Sequence, residues 1–299
     1  MSKPKKVLVL MEPSRAYEQG ILRGIARYSR LHGPWNFFRN IPAVSGGEQI
    51  TLSHIKKLEV DGIIIREQKI LPDILSLDVP IVICPYSQPV PSFINLVTDD
   101  AAIGVMAAEY LLQRDFRHFA FWGQNPRFFW SMQRYEHFTQ RIRQAGFTVA
   151  QYEKQQVKSG YLASDQLEPI AAWLQTLPKP VAIMVATDDF SHDLFEAIKI
   201  TPFHVPEDIA VIGLGNDEIV CGFAWPPLTS IVLNTERAGY EAAERLDRLM
   251  AGEKVPIEDI VIPPLHVVTR NSTEVSAIAD PEVAQAVRFI RRHVRETID

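Results

Sequence analysis

The chain has 299 residues, enough for one large domain or two compact ones, each with a good core. Apolar residues make up 46% and charged residues 22%, the usage of an ordinary globular protein. A net charge of −5 argues against coating nucleic acid by bulk electrostatics, so any DNA contact has to come from a local feature.

The chain opens on MSKPKK and then VLVLM, with five apolar residues before Glu12. A secretory apolar region needs about seven to fifteen residues, so no export signal is read here. No apolar run approaches the roughly eighteen residues of a membrane span, and the expectation is a soluble, cytoplasmic protein without a membrane partner. Cys84 and Cys221 make no disulfide framework and no C-x-x-C spacing, as expected of buried reduced thiols.

Short apolar runs recur along the chain: VLVLM (7–11), GIIIR (62–66), PIVICP (80–85), HFAFWG (118–123), AIMVA (182–186) and IAVIGLG (209–215). Amphipathic stretches lie between them, at 16–31, 100–114, 130–146, 189–200 and 235–252. In the last, Ala238, Ala242, Leu246 and Leu249 recur at helical spacing and Gly252 is placed to end the helix. Apolar strands alternating with helices predict α/β architecture with parallel sheets buried on both faces. The pattern is too long for one sheet, so two lobes are predicted.

Ligands of such sheets bind beyond the carboxyl ends of the strands. The segments to search are therefore 12–17, Arg66–Glu67, Tyr86–Ser87, 124–134, Thr187–Asp189 and 215–217. Catalytic signatures are missing from them. There is no G-x-S-x-G elbow, no Walker A motif and no complete G-x-G-x-x-G, since GLGND lacks the third glycine. His118 and His137 are too far apart for a metal pair, and no nucleophile has an evident base beside it. The expectation is a non-enzyme that needs no cofactor and no metal.

The strand ends instead carry groups suited to hydroxyl recognition. VTDD and ATDD each end a strand and open a helix. One aspartate of each pair is expected to cap the helix, and the other is open to a ligand. Arg134 begins an apolar stripe that continues through Phe138 and Ile142, and its guanidinium suits vicinal hydroxyls or a carboxylate. Tyr17 and Tyr161 open helices after polar loops and offer aromatic faces to a sugar.

In combination, VTDDAAIGVMAAEYLL, HFAFWG, RYEHFTQRIRQAGF, VATDD, VIGLGND, PPLTSIVLNTERAGYEAAERL and PPLHVVTRNST resemble, in that order, the lac/gal-repressor effector domain. The resemblance runs from about Lys6 to Thr273 and implies a two-lobed class I periplasmic-binding-protein fold, each lobe a mostly parallel sheet flanked by helices. MEPSRAYEQGILRGIARY, WLQTLPKP and the tail DPEVAQAVRFIRRHV further resemble the xylose-operon regulators of the AraC type. That likeness implies a sugar-sensing effector domain over 1–273, with lobe 1 at about 1–98 and 234–256 and lobe 2 at about 99–233 and 257–273. Crossovers are expected near 97–100, 233–234 and 253–257. A linker at 274–281 and the start of a helix-turn-helix domain at 282–299 would follow.

The resemblance also implies a function. A pentose, D-xylose first, would bind between the lobes, and closure would control operator DNA binding by a C-terminal domain, in a homodimer. The alternative is a cytoplasmic sugar-binding receptor module with no DNA role. Carried over by position, Arg134 is the arginine that grips ligand hydroxyls, Asp188 and its neighbour Thr187 form the strand-end motif, and Tyr161 is the stacking aromatic. Asn234 is a polar position near a crossover, and Glu12, Ser14 and Tyr17 belong to the first loop. One departure is plain: the family's first aspartate after the VIG strand is replaced here by Gly215. Either Asn216 or Asp217 reaches the ligand instead, or that contact is absent.

In the tail, Val283, Val287, Ile290 and Val294 make an apolar stripe beside Arg288, Arg291, Arg292 and Arg295. A helix packed on the effector domain and the first helix of a DNA-binding domain both fit this pattern, and the resemblance favours the second.

Overall fold

The computed structural model describes residues 3–39, 50–123, 125–152 and 167–274, with residues 282, 283, 286, 289 and 290 of the tail. Tyr161, Val287 and Val294 lie outside the described residues. The chain divides into two compact units, Met1–Asp99 with Arg127–Trp130 and Leu233–Pro263, and Asp100–Pro126 with Ser131–Val232 and Pro264–Asp299.

The first unit is built from β1 (Lys5–Leu10), α1 (Ala16–His32), β2 (Trp35–Arg39), α2 (Leu52–Leu58), β3 (Gly62–Arg66), α3 (Leu71–Ile74), β4 (Ile81–Cys84) and β5 (Ile94–Thr98). The second contains α4 (Asp100–Leu112), β6 (His118–Trp122), most of α5 (Phe129–Gln144), β7 (Val149–Gln151), α6 (Leu167–Thr176), β8 (Val181–Val185), α7 (Ser191–Lys199), β9 (Ile209–Leu214), α8 (Glu218–Phe223) and β10 (Thr229–Leu233). The chain then returns to the first unit for α9 (Thr235–Met250) and β11 (Ile260–Ile262), and to the second for β12 (Pro264–Val268).

Among the described residues, the sheet of the first unit runs β11-β5-β4-β3-β1-β2 and that of the second runs β12-β10-β9-β8-β6-β7. All pairings of the first sheet are parallel, and so are those joining β10, β9, β8, β6 and β7. Covered on both faces, the central strands read as apolar runs: β4, β8 and β9 are buried at every position. The strand order reverses beside β1 in one unit and beside β6 in the other. In an open parallel sheet this reversal leaves a crevice at the carboxyl ends, between β1 and β3 and between β6 and β8.

Two of the expected crossovers stand at the unit boundaries, at Asp99–Asp100 and Val232–Leu233. The third does not fall at 253–257. Ile260–Ile262 first adds a strand to the edge of the first sheet, with Ile260, Val261 and Ile262 opposite Leu96, Val97 and Thr98. The chain therefore changes units only after Pro263, and 257–263 belong with the first unit.

Helices α1 and α9 pack on each other through glycines. A Cβ on Gly239 would stand 2.1 Å from the carbonyl oxygen of Ile21, so the two backbones touch where any side chain would part them. Ala238, Ala242, Ala243 and Leu246 complete the buried stripe of α9, and Gly252, at φ 78°, closes the helix in the left-handed conformation. Beyond the stripe, Asp247 accepts from Lys5 Nζ at 2.8 Å and from the Tyr28 hydroxyl at 3.2 Å. Among the described residues, no helix is long and apolar enough to cross a membrane. Glu282, Val283, Ala286, Phe289 and Ile290 of the tail are exposed.

Candidate functional site

In the second unit an arginine reaches the carboxyl end of β8, beside the end of β6. Ser131, Arg134, Phe138 and Ile142 share the buried stripe of α5, so the helix carries a guanidinium on its core-facing side. Arg134 is 5% exposed. Its Nε donates to Asp100 Oδ1 at 2.8 Å, and its Nη1 donates at 2.8 Å to the carbonyl of Ala186, the residue that follows β8. The Ala186 amide in turn donates to the Trp122 carbonyl at the end of β6. The arginine is thus fixed at the point where the strand order reverses.

Thr187 and Asp188 come next in the chain. Asp188 is 3% exposed, and both carboxylate oxygens accept from protein donors. The Ser230 hydroxyl donates to Oδ1 at 2.6 Å and the Asp217 amide to Oδ2 at 2.9 Å. Burial raises the Asp188 pKa from its ordinary 3.8 to about 6, although hydrogen bonds from Ser230, Asp217 and the Cys221 thiol oppose the shift.

A pH dependence of stability follows. The folded chain keeps the Asp188 proton to higher pH than the unfolded chain does. Between pH 4 and 6 this group therefore makes stability fall as pH rises, by about 3 kcal/mol in total. Urea unfolding of wild type and Asp188→Asn between pH 4.5 and 7 checks this: the stability of the variant relative to wild type should rise with pH across the window.

The turn after β9 explains the departure at Gly215. Its φ is 119°, and a Cβ there would stand 3.3 Å from Asp188 Oδ2. An aspartate would place a second carboxylate against one that is already buried. Asn216 follows in the left-handed region at φ 50°, donates its amide to the Ser230 hydroxyl at 3.0 Å, and accepts from Arg270 Nη2 at 2.8 Å on its Oδ1. Asp217 caps α8, with its Oδ1 accepting from the amides of Ile219 and Val220. Arg134, Thr187, Asp188, Asn216 and Asp217 are thus gathered at the carboxyl ends of one sheet.

The first unit holds the remaining candidates. Glu12 and Ser14 are exposed on the loop after β1, and Tyr17 is half-buried in the first turn of α1. Asn234 stands before α9, where its amide donates to the Pro263 carbonyl at 3.1 Å.

Sequence reasoning marked the 66–67 and 86–87 segments for search but assigned them no role. Arg66 ends β3 beside the crevice, with its guanidinium 5.2 Å from the Tyr17 ring and 4.8 Å from that of Tyr86. It donates to the Pro85 carbonyl at 2.8 Å and makes an ion pair with Glu18 at 3.6 Å. Glu67 accepts from the amide and hydroxyl of Ser87, each at 2.7 Å. Burial opposes its ionisation, but these bonds and the one from the Tyr86 amide hold its carboxyl below the usual range. Phe128 stacks on Trp130 at 5.3 Å and meets Tyr86 edge-on at 5.0 Å. The signal was present: Arg66 terminates an otherwise apolar run, and Glu18 shares the buried face of α1 with Ile21 and Ile25.

A family model for the periplasmic binding protein-like domain matches residues 108–273. The chain belongs to that family. The matched span of the periplasmic binding protein-like domain contains Arg134, Thr187, Asp188, Asn216, Asp217, Asn234 and Arg270. Over 295 residues the chain is 28% identical to the xylose operon regulatory protein of Haemophilus influenzae, an alignment covering 96% of this chain and 75% of the relative. It is 27% identical over 301 residues to the xylose operon regulatory protein of Escherichia coli K12, covering 98% of this chain and 75% of the relative. The solved structure of a xylose-binding transcription activator, XylR, superposes with a TM-score of 0.84 at 26% identity, over 100% of this chain and 77% of that one. The periplasmic binding protein-like fold expected from the sequence is the fold observed.

Proposed function

We propose that the chain is the sugar-binding effector part of a transcription regulator and that its ligand is a free pentose, D-xylose first. The buried Arg134–Asp100 pair at the β6/β8 crevice carries this reading. A polyol needs fixed donors and acceptors at its hydroxyls and apolar faces beside its C–H groups. The second unit offers Arg134, Thr187, Asn216 and Asp217 as polar groups at one sheet end. By itself, the first unit carries Arg66 and Glu18 with the rings of Tyr17 and Tyr86 at the carboxyl end of its own sheet. Asp188 enters the reading as the acceptor that shapes the 215–217 turn.

The similarity to xylose operon regulatory proteins supports the pentose and the regulatory role. Operator binding by an AraC-type domain, a homodimer and a cytoplasmic location belong to the same reading, by likeness to that family. The two cysteines offer no ready thiolate. Burial pushes the Cys84 thiol up to about 12 and raises that of Cys221 as well, so neither is a thiolate nucleophile at neutral pH.

A thermal-shift panel of free pentoses and hexoses tests the reading. D-xylose at a hundredfold excess over its Kd should add about 2.7 kcal/mol to stability and be recovered unchanged. Stabilisation only by a sugar of another class, or consumption of the xylose, would replace the reading.

A further inference from the structure

The segment that follows β12 is bound to the second unit more tightly than a chain exit requires. Ser272 and Thr273 are both fully buried. Ser272 Oγ donates to the Val211 carbonyl at 2.6 Å and accepts from the Thr229 amide at 2.8 Å, while the Ser272 amide donates to the Pro227 carbonyl at 3.0 Å. The Thr273 hydroxyl meets those of Thr229 at 2.7 Å and Tyr110 at 2.8 Å. Buried polar networks of this kind are favourable only when every member is satisfied.

Arg270 joins this network to the turn after β9. Its amide donates to Thr229 Oγ1 at 2.8 Å, its Nη1 to the Leu228 carbonyl at 2.8 Å, and its Nη2 to Asn216 Oδ1 at 2.8 Å. From Asn216 the bonds continue through the Ser230 hydroxyl to Asp188. One hydrogen-bonded path thus runs from the carboxyl end of the sheet to Thr273.

We propose that Arg270 is a positioning residue that ties the conformation of the Gly215–Asp217 turn to that of the Thr269–Thr273 segment, so that a ligand bound at the turn is read at that segment. The ligand half of this inference rests on the sugar reading of the site. The tie itself does not.

The two halves are tested separately by amide hydrogen exchange at Thr229, Arg270 and Ser272 in the 299-residue chain. Without sugar, Asn216→Gly still allows the left-handed backbone and removes the side chain whose Oδ1 accepts from Arg270. It should speed exchange at the three amides by about tenfold, and Asn216→Asp should restore protection because a carboxylate accepts from the guanidinium. In an Arg270→Met background Asn216→Gly should change nothing further, the signature of a coupled pair. Exchange within about twofold of wild type in Asn216→Gly, or equal effects in both backgrounds, would overturn the tie.

With D-xylose at saturation, exchange at Ser272 should slow in wild type and stay unchanged in Arg270→Met, with binding in both verified by calorimetry. Binding without any change at Ser272 in wild type would overturn the ligand half. Absence of binding in wild type would overturn the sugar reading and the ligand half with it, while the sugar-free cycle still decides the tie.

Discussion

Arg134→Ala is expected to lower the unfolding free energy by about 3–5 kcal/mol and to remove measurable sugar binding. The Arg134 and Asp100 side chains are 6% and 10% exposed and their charged groups 2.8 Å apart, so both have given up most of their water. Deleting the arginine takes the Arg134 charge and its Nε donor from the largely buried Asp100 carboxylate and removes the donor to the Ala186 carbonyl. The double variant Arg134→Ala/Asp100→Asn separates the two effects. Removing the charge should recover more than about 1 kcal/mol of stability, because an amide costs less to bury than a carboxylate. Sugar binding should stay lost, because the guanidinium is still missing. Urea unfolding reads the first quantity and titration calorimetry the second. If the single variant unfolds like wild type, the pair is not as desolvated as its geometry states. If the folded variants bind sugar as wild type does, Arg134 is not a binding residue.

Gly239→Ala is expected to destabilise the first unit at or beyond the upper end of the roughly 1–3 kcal/mol usual for overpacking. Alanine favours a helix over glycine by about 0.8–1.0 kcal/mol, so steric cost has to exceed that gain before any loss appears. It does so here because the neighbours cannot move aside. The added Cβ would lie 2.1 Å from Ile21 O and 2.7 Å from Ile21 C and Cα, all main-chain atoms of α1. Gly24 makes the reciprocal contact, where a Cβ would stand 2.0 Å from the Glu236 carbonyl oxygen. Gly222→Ala is the control: in α8 its Cβ would meet nothing within 4 Å, and the substitution should be neutral or stabilising. Equal urea midpoints for Gly239→Ala and wild type would mean that α1 and α9 are farther apart than described.

The central strands were legible because a parallel sheet covered on both faces demands unbroken apolar residues. The run GIIIR coincides with β3, and the other runs lie within one or two residues of β1, β4, β6, β8 and β9. Edge strands carry no such demand. β2 (WNFFR) has exposed positions, while β7 and β11 have three residues each and are partly uncovered, too short to stand out as buried strands. Overlooking β11 is what put the last crossover too early.

In the site, Arg134 was readable from its place on the buried stripe of α5, but its partner was not, since Asp100 lies 34 residues away on another helix. Asp188 was readable as a strand-end aspartate. That its oxygens are taken by Ser230 and Asp217 depends on packing between segments 42 and 29 residues away. The Arg66–Glu18 pair joins the end of a strand to the first turn of a helix 48 residues earlier, a contact that local pattern does not encode.

Titration of the 299-residue chain with D-xylose in a calorimeter tests the central claim most directly. Saturable binding with one site per chain is expected in the wild type and none in Arg134→Ala/Asp100→Asn. Wild-type chain that is folded and gives no binding heat with D-xylose or any other free pentose, at several temperatures, would contradict it.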